Sequence, residues 1–316
     1  MFETPVLFII FNRIETTRQV FDEIRKVRPK YLFMAADGPR PDKPYDEKHC
    51  AEARDITKLI DWDCELKTLF QQDNLGCGVG PATAINWFFD HVDEGIILED
   101  DCLPAPDFFT FCSSMLEKYR HNENIFHVSG NNFQLGKKQG NASYYFSKYT
   151  GTWGWATWKR AWKHYRFNIK NLEIFLEQKK LDKVVQSKNE KAYWVKIFRL
   201  IEFGNRKDIW DYQWTFTVWD QEALAIFPNM NLVKNIGFIK NATHTFDPES
   251  LLANIELGDL GEITHPREII RDKKADDYFY RKVLEVEYKK HHTKKGFYKQ
   301  FVAPISRRIK KMINSA

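Results

Sequence analysis

Apolar and polar positions alternate in blocks along the first hundred residues, and the blocks predict a series of β-α pairs. Residues 6–11 form a continuous apolar run of strand length. Asn12 and Arg13 then turn into a segment carrying Val20, Ile24 and Val27 at helical spacing. Residues 31–36 read as a second strand, and Asp37-Gly38-Pro39-Arg40-Pro41 after it is a turn by composition. Residues 47–61 look helical, 66–70 extended, and 81–92 helical, with Pro81 suited to a first-turn position. Gly95-Ile96-Ile97-Leu98 is a buried strand that ends on Glu99-Asp100-Asp101. Alternating strands and helices imply right-handed crossovers and a largely parallel α/β sheet, whose ligands bind beyond the carboxyl ends of the strands. Asn12, Arg13, Asp37, Asn74 and the acidic triplet all fall at such ends.

Three consecutive carboxylates repel one another. A divalent ion with hard oxygen ligands relieves that repulsion and keeps coordination positions open for phosphate oxygens. The same turn also serves as an acidic cap on the helix that Pro104-Ala105-Pro106-Asp107 opens. The stretch from Gln71 to Gly80 has three glycines before a helix, but neither the dinucleotide order GxGxxG nor a phosphate-loop lysine. It reads either as a flexible connection or as backbone that approaches a nucleotide-linked ligand closely.

Beyond residue 120 the pattern changes. Residues 125–129 suit another strand, followed by the polar turn Gly130-Asn131-Asn132-Phe133. Thr152-Trp153-Gly154-Trp155-Ala156-Thr157-Trp158 and Trp162 put four tryptophans in ten residues. Trp158 and Trp162, four apart on an expected helix, read as core. Trp153 and Trp155 are candidates for a saccharide platform, because an indole face stacks on sugar C–H surfaces. Aromatic residues are 15% of the chain, which argues for a thick core or stacking surfaces and against disorder.

The net charge of +5 is uneven. From residue 281 onward there are eleven lysines and arginines against two glutamates, so residues 1–280 carry a net charge of −4. Phe301, Ile305, Ile309 and Met312 share one helical face among these basic residues, the pattern of an interfacial anchor for an anionic membrane surface. A solvated basic tail or a helix at a protein interface has the same pattern. No aromatic and basic motif of a nucleic-acid binder is present, so nucleic acid is not an expected partner. No apolar run approaches the roughly 20 residues of a membrane span, and the chain enters its first strand without a basic leader, which places it in the cytoplasm, peripheral to the inner membrane face. Five cysteines without CxxC spacing read as buried thiols.

Asn12-Arg13, Asp37-Gly38, Asn74-Leu75-Gly76, and Glu99-Asp100-Asp101 followed by Pro106-Asp107-Phe108-Phe109 together give a resemblance. Over residues 4–245 the chain resembles nucleotide-sugar-dependent glycosyltransferases of the GT-A fold, in particular bacterial relatives of N-acetylglucosaminyltransferase I. The acidic triplet with its acidic-aromatic helix start is the specific part, a variant of the DxD motif.

The resemblance implies a Rossmann-like, mostly parallel mixed sheet flanked by helices. A catalytic domain would span 1–245, with a nucleotide-sugar half at 1–120 and an acceptor half at 121–245, before a C-terminal extension at 246–316. It implies an inverting, Mn²⁺- or Mg²⁺-dependent transfer from a UDP-sugar, a UDP-N-acetylhexosamine or UDP-hexose, to a glycan or lipid-linked saccharide. Asp101 takes the metal. Asp100 and Glu99 hold ribose or sugar hydroxyls, Asp37 the base or ribose, and Arg13 the phosphate. Asn12, Asn74 and Gly76 line the nucleotide site. Trp153 and Trp155 lie beside the donor sugar, and His244 adds a metal or diphosphate contact. Trp210-Asp211-Tyr212-Gln213-Trp214 is similar to the segment that carries the family's base, which assigns that role to Asp211, with Asp208 and Asp220 as alternatives should the register slip and a helix N-cap as its bland role. Two other readings stand beside this one: a nucleotidyltransferase that makes sugar nucleotides, and a non-enzymatic carbohydrate-binding module.

Overall fold

Continuous apolar runs become strands buried on both faces. A computed structural model of the chain describes residues 1–204, 206, 208–238 and 251–286. Its strands are β1 (Val6–Ile10), β2 (Tyr31–Ala36), β3 (Glu65–Phe70), β4 (Glu94–Glu99), β5 (Cys102–Pro104), β6 (Ile125–Ser129), β7 (Tyr144–Ser147), β8 (Trp155–Trp158), β9 (Leu224–Pro228) and β10 (Val233–Asn235). Its helices are α1 (Ile14–Val27), α2 (Asp46–Arg54), α3 (Gly76–His91), α4 (Pro106–Tyr119), α5 (Lys159–Trp162), α6 (Leu172–Glu177), α7 (Lys180–Val184), α8 (Lys188–Gly204), α9 (Asp211–Asp220) and α10 (Lys273–Phe279).

The main sheet has the order β3-β2-β1-β4-β8-β6-β9-β7, and β5 pairs with β10 in a small second sheet. β1, β2, β3 and β4 run parallel. β8 lies antiparallel between β4 and β6, β6 and β9 are parallel, and β7 closes the edge antiparallel to β9. The architecture is the expected Rossmann-like α/β sheet, mostly parallel and mixed at one side.

Strand alternation divides the core in two. Val6, Phe8 and Ile10 of β1, with Leu32, Met34, Ile96 and Leu98, meet residues of α1 and α4. Leu7, Phe33, Ala35 and Ile97 face the opposite side, against α3 and α9. The aromatic excess is concentrated there. Trp155 stacks between His127 and Trp210, at ring-centroid distances of 5.0 and 5.8 Å, and Trp162 stacks on Tyr165 at 4.1 Å. Each such pair contributes about 0.5–1.5 kcal/mol beyond its burial. His127 Nδ1 accepts from Trp214 Nε1 at 3.1 Å, so its Nε2–H is the donor to the Gly151 carbonyl at 2.9 Å. Burial pushes its pKa down to about 3, and the ring is a neutral core element.

Two expectations change. Helix α3 begins at Gly76 rather than near Pro81, which lies inside it, because a carboxylate from β2 caps the earlier turn. Trp158 and Trp162 do not share a helix: Trp158 ends β8 and Trp162 ends α5, although both are buried as expected. His244 and the basic, amphipathic set at 289–312 lie outside the described residues. Among the described residues no helix is long and apolar enough to cross a membrane.

The described C-terminal residues bind back onto the core. Leu260 N donates to Asp107 Oδ2 at 2.8 Å, and Asp272 N donates to the Phe146 carbonyl at 2.8 Å. Beneath α10, Asp276 accepts from Ser147 Oγ at 2.6 Å and pairs with Arg271 at 2.7 Å.

Burial raises the Asp276 carboxyl from 3.8 to about 6, so the folded state binds this proton more tightly than the unfolded chain. Its contribution to stability is complete below about pH 4 and is lost as pH rises through about 6. Urea unfolding across that window is expected to show a falling stability that Asp276→Asn reduces by about 1–3 kcal/mol. Identical pH profiles for the two proteins would contradict the assignment.

Candidate functional site

The carboxyl ends of β1, β2, β3 and β4 open onto one cleft of about 320 Å³. Its walls include Phe11, Arg13, Asp37, Arg40, Asn74, Gly76, Cys77 and the acidic triplet. Parallel strand ends leave backbone and charged side chains at a crevice, which is where this sheet class binds ligands.

β4 delivers the triplet in alternation. Glu99 shares a side with Ile97, toward α3 and α9, and Asp100 turns back to accept from Phe11 N at 3.0 Å. Arg13, at the exit of β1, donates through Nη1 to Asp101 Oδ2 at 2.9 Å and lies 3.7 Å from Asp100 Oδ1. Burial raises the pKa of both Glu99 and Asp100; neighbouring carboxylates add to both shifts, while Arg13 opposes them. Asp211 is among the groups whose charge raises Glu99, so the first residue of α9 acts on the same cluster. Trp210, not Asp211, occupies the N-cap position of α9.

Of the alternatives to Asp211, Asp208 lies beside the cleft, its carbonyl accepting from the thiol of the wall residue Cys77 at 3.3 Å. Asp220 sits at the far end of α9, paired with Lys180 Nζ at 2.8 Å, and Asp208 is paired with Arg206 at 2.7 Å.

Asp37 has a different use from the expected contact with base or ribose. Its Oδ1 accepts from Gly38 N at 2.9 Å and Leu75 N at 2.8 Å, and its Oδ2 from Gly76 N at 2.8 Å and Asn74 Nδ2 at 3.0 Å. The carboxylate thus holds the N-terminus of α3, where backbone amides and the helix dipole favour an anion. Burial still leaves its pKa raised, because desolvation outweighs these bonds. Gly76 has φ +84°, a conformation that favours glycine, so it shapes this turn. Asn74 spends its amide on Asp37 and on the Gly38 carbonyl at 2.7 Å.

Asn12 also departs from expectation. It donates to Asp46 Oδ1 at 2.8 Å and is not part of the cleft wall. Trp155 is fully buried, with protein rings on both faces, and cannot present a face to a sugar. Period-two alternation in β8 sends it into the core. Trp153 is partly exposed and meets Phe238 edge-on at 5.6 Å, in the segment that runs past Asp101.

Arg40, in the cleft wall, and Gly237, beside Asp101, were not singled out from the sequence. Arg40 pairs with Asp46 at 2.5 Å and lies over the Phe11 ring, 5.3 Å from its centroid; its position in the turn after β2 was the available signal. Gly237 lies against Asp101 so closely that a Cβ there would collide with the carboxylate.

The donor set suits a hard divalent cation in kind: three carboxylate side chains, and already one cation, the Arg13 guanidinium, on Asp101. Among the described residues no three His, Cys, Asp or Glu groups converge as a complete ligand set. A cation held by one carboxylate and completed by phosphate oxygens and water needs no such set.

No protein-family model matches this chain, and no curated protein matches it. Solved structures that match include HddC from Yersinia pseudotuberculosis, at 8% identity and a TM-score of 0.31, covering 51% of this chain and 80% of that one. The 4-diphosphocytidyl-2C-methyl-D-erythritolsynthase of Anaerococcus prevotii matches at 9% identity and TM-score 0.32, over 63% of this chain and 100% of that one. UDP-glucose pyrophosphorylase complexed with UDP-glucose matches at 10% and 0.36, over 74% and 93%. Similarity at this level carries no argument about activity.

Asp37→Ala leaves the amides at the start of α3 without their acceptor. It is expected to lower stability by about 2–4 kcal/mol in urea unfolding; a change below about 0.5 kcal/mol would mean that the carboxylate is free for a ligand. Because the pKa of Glu99 is pushed up to about 8, Glu99→Gln removes a clustered charge only above that pH, where it is expected to raise stability by about 0.5–2 kcal/mol. A loss of stability would contradict the repulsion inferred within the triplet.

Proposed function

We propose that this chain is an inverting glycosyltransferase that moves a sugar from a UDP-sugar, a UDP-N-acetylhexosamine or UDP-hexose, to a saccharide acceptor. The observation that carries this reading is convergence. The acidic triplet and Arg13 come from the parallel half of the sheet, Asp211 comes from the other half, and Asp211 is near enough to shift the proton affinity of Glu99.

The roles follow from charge and position. Arg13 donates to the departing diphosphate, which a planar multi-donor cation matches well. Glu99 and Asp100 accept from hydroxyl groups of the ribose or donor sugar. Asp211 takes the proton of the acceptor hydroxyl as its oxygen bonds to the anomeric carbon and the bond from that carbon to the diphosphate oxygen breaks. Trp153 flanks the donor sugar. Asp101 would hold a Mn²⁺ or Mg²⁺, together with any contact from His244, and the bound ion would supply charge stabilisation to the leaving diphosphate. Asp37, Asn74 and Gly76 serve indirectly, by fixing the turn that forms one wall. The basic residues from 281 onward suit an anionic membrane surface on which a lipid-linked or surface-glycan acceptor is carried, at the cytoplasmic face.

A sugar-nucleotide nucleotidyltransferase is the second reading, the chemistry named for the UDP-glucose pyrophosphorylase above. The cleft accommodates it as well. Against it stands the exit of β1, where Phe11-Asn12-Arg13 enters α1 directly, without the glycine-rich basic loop that such chemistry uses to hold a triphosphate.

The test is product analysis with UDP-sugars and saccharide acceptors. UDP release is expected, abolished by EDTA and restored by Mn²⁺, with Asp101→Ala and Asp211→Asn each lowering kcat by about 10²–10⁴. Pyrophosphate release from UTP and a sugar 1-phosphate would replace this reading with the second one. Saccharide binding without turnover of either kind would indicate a binding module.

A further inference from the structure

Asp101 is fixed in place, whereas its partner Arg13 is on a long side chain. The Asp101 carbonyl accepts from Ile236 N at 2.8 Å, and Gly237 is packed against one side of the carboxylate. Arg13 Nη1 occupies Oδ2 at 2.9 Å and reaches toward Asp100 Oδ1 at 3.7 Å. The Arg13 side chain is 26% exposed, against 16% for Asp101, so Arg13 is the more exposed of the two side chains. One oxygen of the Asp101 carboxylate therefore already carries a cation, while Oδ1 meets the Cys102 thiol at 3.5 Å.

We propose that the Arg13–Asp101 ion pair is a latch that makes cation and nucleotide bind as a unit. In the donor-free protein the guanidinium holds the seat of the divalent cation. A nucleoside diphosphate draws it away, because phosphate oxygens satisfy the same fork of N–H donors that the carboxylate satisfied. A divalent cation arriving alone competes with the pair and leaves Arg13 with the longer contact to Asp100, 3.7 Å away, beside a second positive charge. Its affinity is then reduced by the fraction of molecules in which the latch is open. Thermodynamic linkage makes the effect reciprocal: the nucleotide raises cation affinity by the factor by which the cation raises nucleotide affinity. The inference rests on the nucleotide-sugar reading of the cleft and extends it to the order and coupling of binding.

The experiment is calorimetric titration of full-length wild type, Arg13→Gln and Arg13→Lys with Mn²⁺, each with and without UDP. In wild type, UDP is expected to raise Mn²⁺ affinity about ten-fold or more. Arg13→Gln, which keeps a polar side chain but no charge, is expected to bind Mn²⁺ alone about ten-fold more tightly than wild type and to gain less from UDP. Arg13→Lys, a point charge without the fork, is expected to fall between, and it carries the comparison if the glutamine variant does not fold. If UDP and Mn²⁺ bind together but neither variant binds Mn²⁺ alone more tightly than wild type, the latch is overturned and the nucleotide-sugar reading stands. Failure of UDP and Mn²⁺ to bind in any combination overturns both.

Discussion

Three successive carboxylates at the end of a central buried strand set the problem that the surrounding structure answers. β4 is paired with β1 as far as Glu99 and with β8 as far as Ile97, and β5 begins at Cys102, so the turn that carries Asp100 and Asp101 is tethered at both ends. Relief has to come from partners. The amide of Phe11 and the guanidinium of Arg13 provide it in part, and both come from the exit of β1, the strand paired with β4. Burial first, and the neighbouring carboxylates second, raise the proton affinities of Glu99 and Asp100. A buried carboxylate cluster in a cleft has free energy to recover from a positively charged or proton-donating partner.

The remainder of the cleft is built to stay rigid around that cluster. Asp37 ties the exit of β2 to the start of α3, and Arg54 donates to the carbonyls of Asp37 and Gln71, so the ends of β2 and β3 are joined as well. The dense aromatic packing around Trp155 supports β8 and α9 from behind. This support fixes where Asp211 begins its helix relative to Glu99. Aromatic residues thus contribute to the site from a distance, through the positions of the elements, and Trp153 alone of the early pair is partly exposed near it.

Local sequence carried the parallel half of the fold and the identity of the acidic cluster. Strands β1, β2 and β4 are unbroken apolar runs, and their exits carry the polar residues, a signal that needs no knowledge of pairing. What depends on distant partners was not legible. The insertion of β8 between β4 and β6 joins residues far apart in the chain, and its four residues Trp-Ala-Thr-Trp are too short for period-two alternation to outweigh a helical spacing of tryptophans. Asp37 looks like any polar residue at a strand end until the amides of Leu75 and Gly76 arrive from elsewhere. Asn12 likewise meets Asp46, and Arg13 meets Asp101, only in three dimensions.

The proposed transfer requires the acidic triplet to grip a cation that in turn grips a diphosphate. Anomalous diffraction at the manganese edge, from crystals grown with Mn²⁺ and UDP, tests it directly. A manganese peak bridging the Asp101 carboxylate and the diphosphate, with Arg13 turned from Asp101 to a phosphate oxygen, is the predicted result. Diphosphate bound away from the end of β4, with Arg13 still paired to Asp101 and no manganese beside it, would contradict the account.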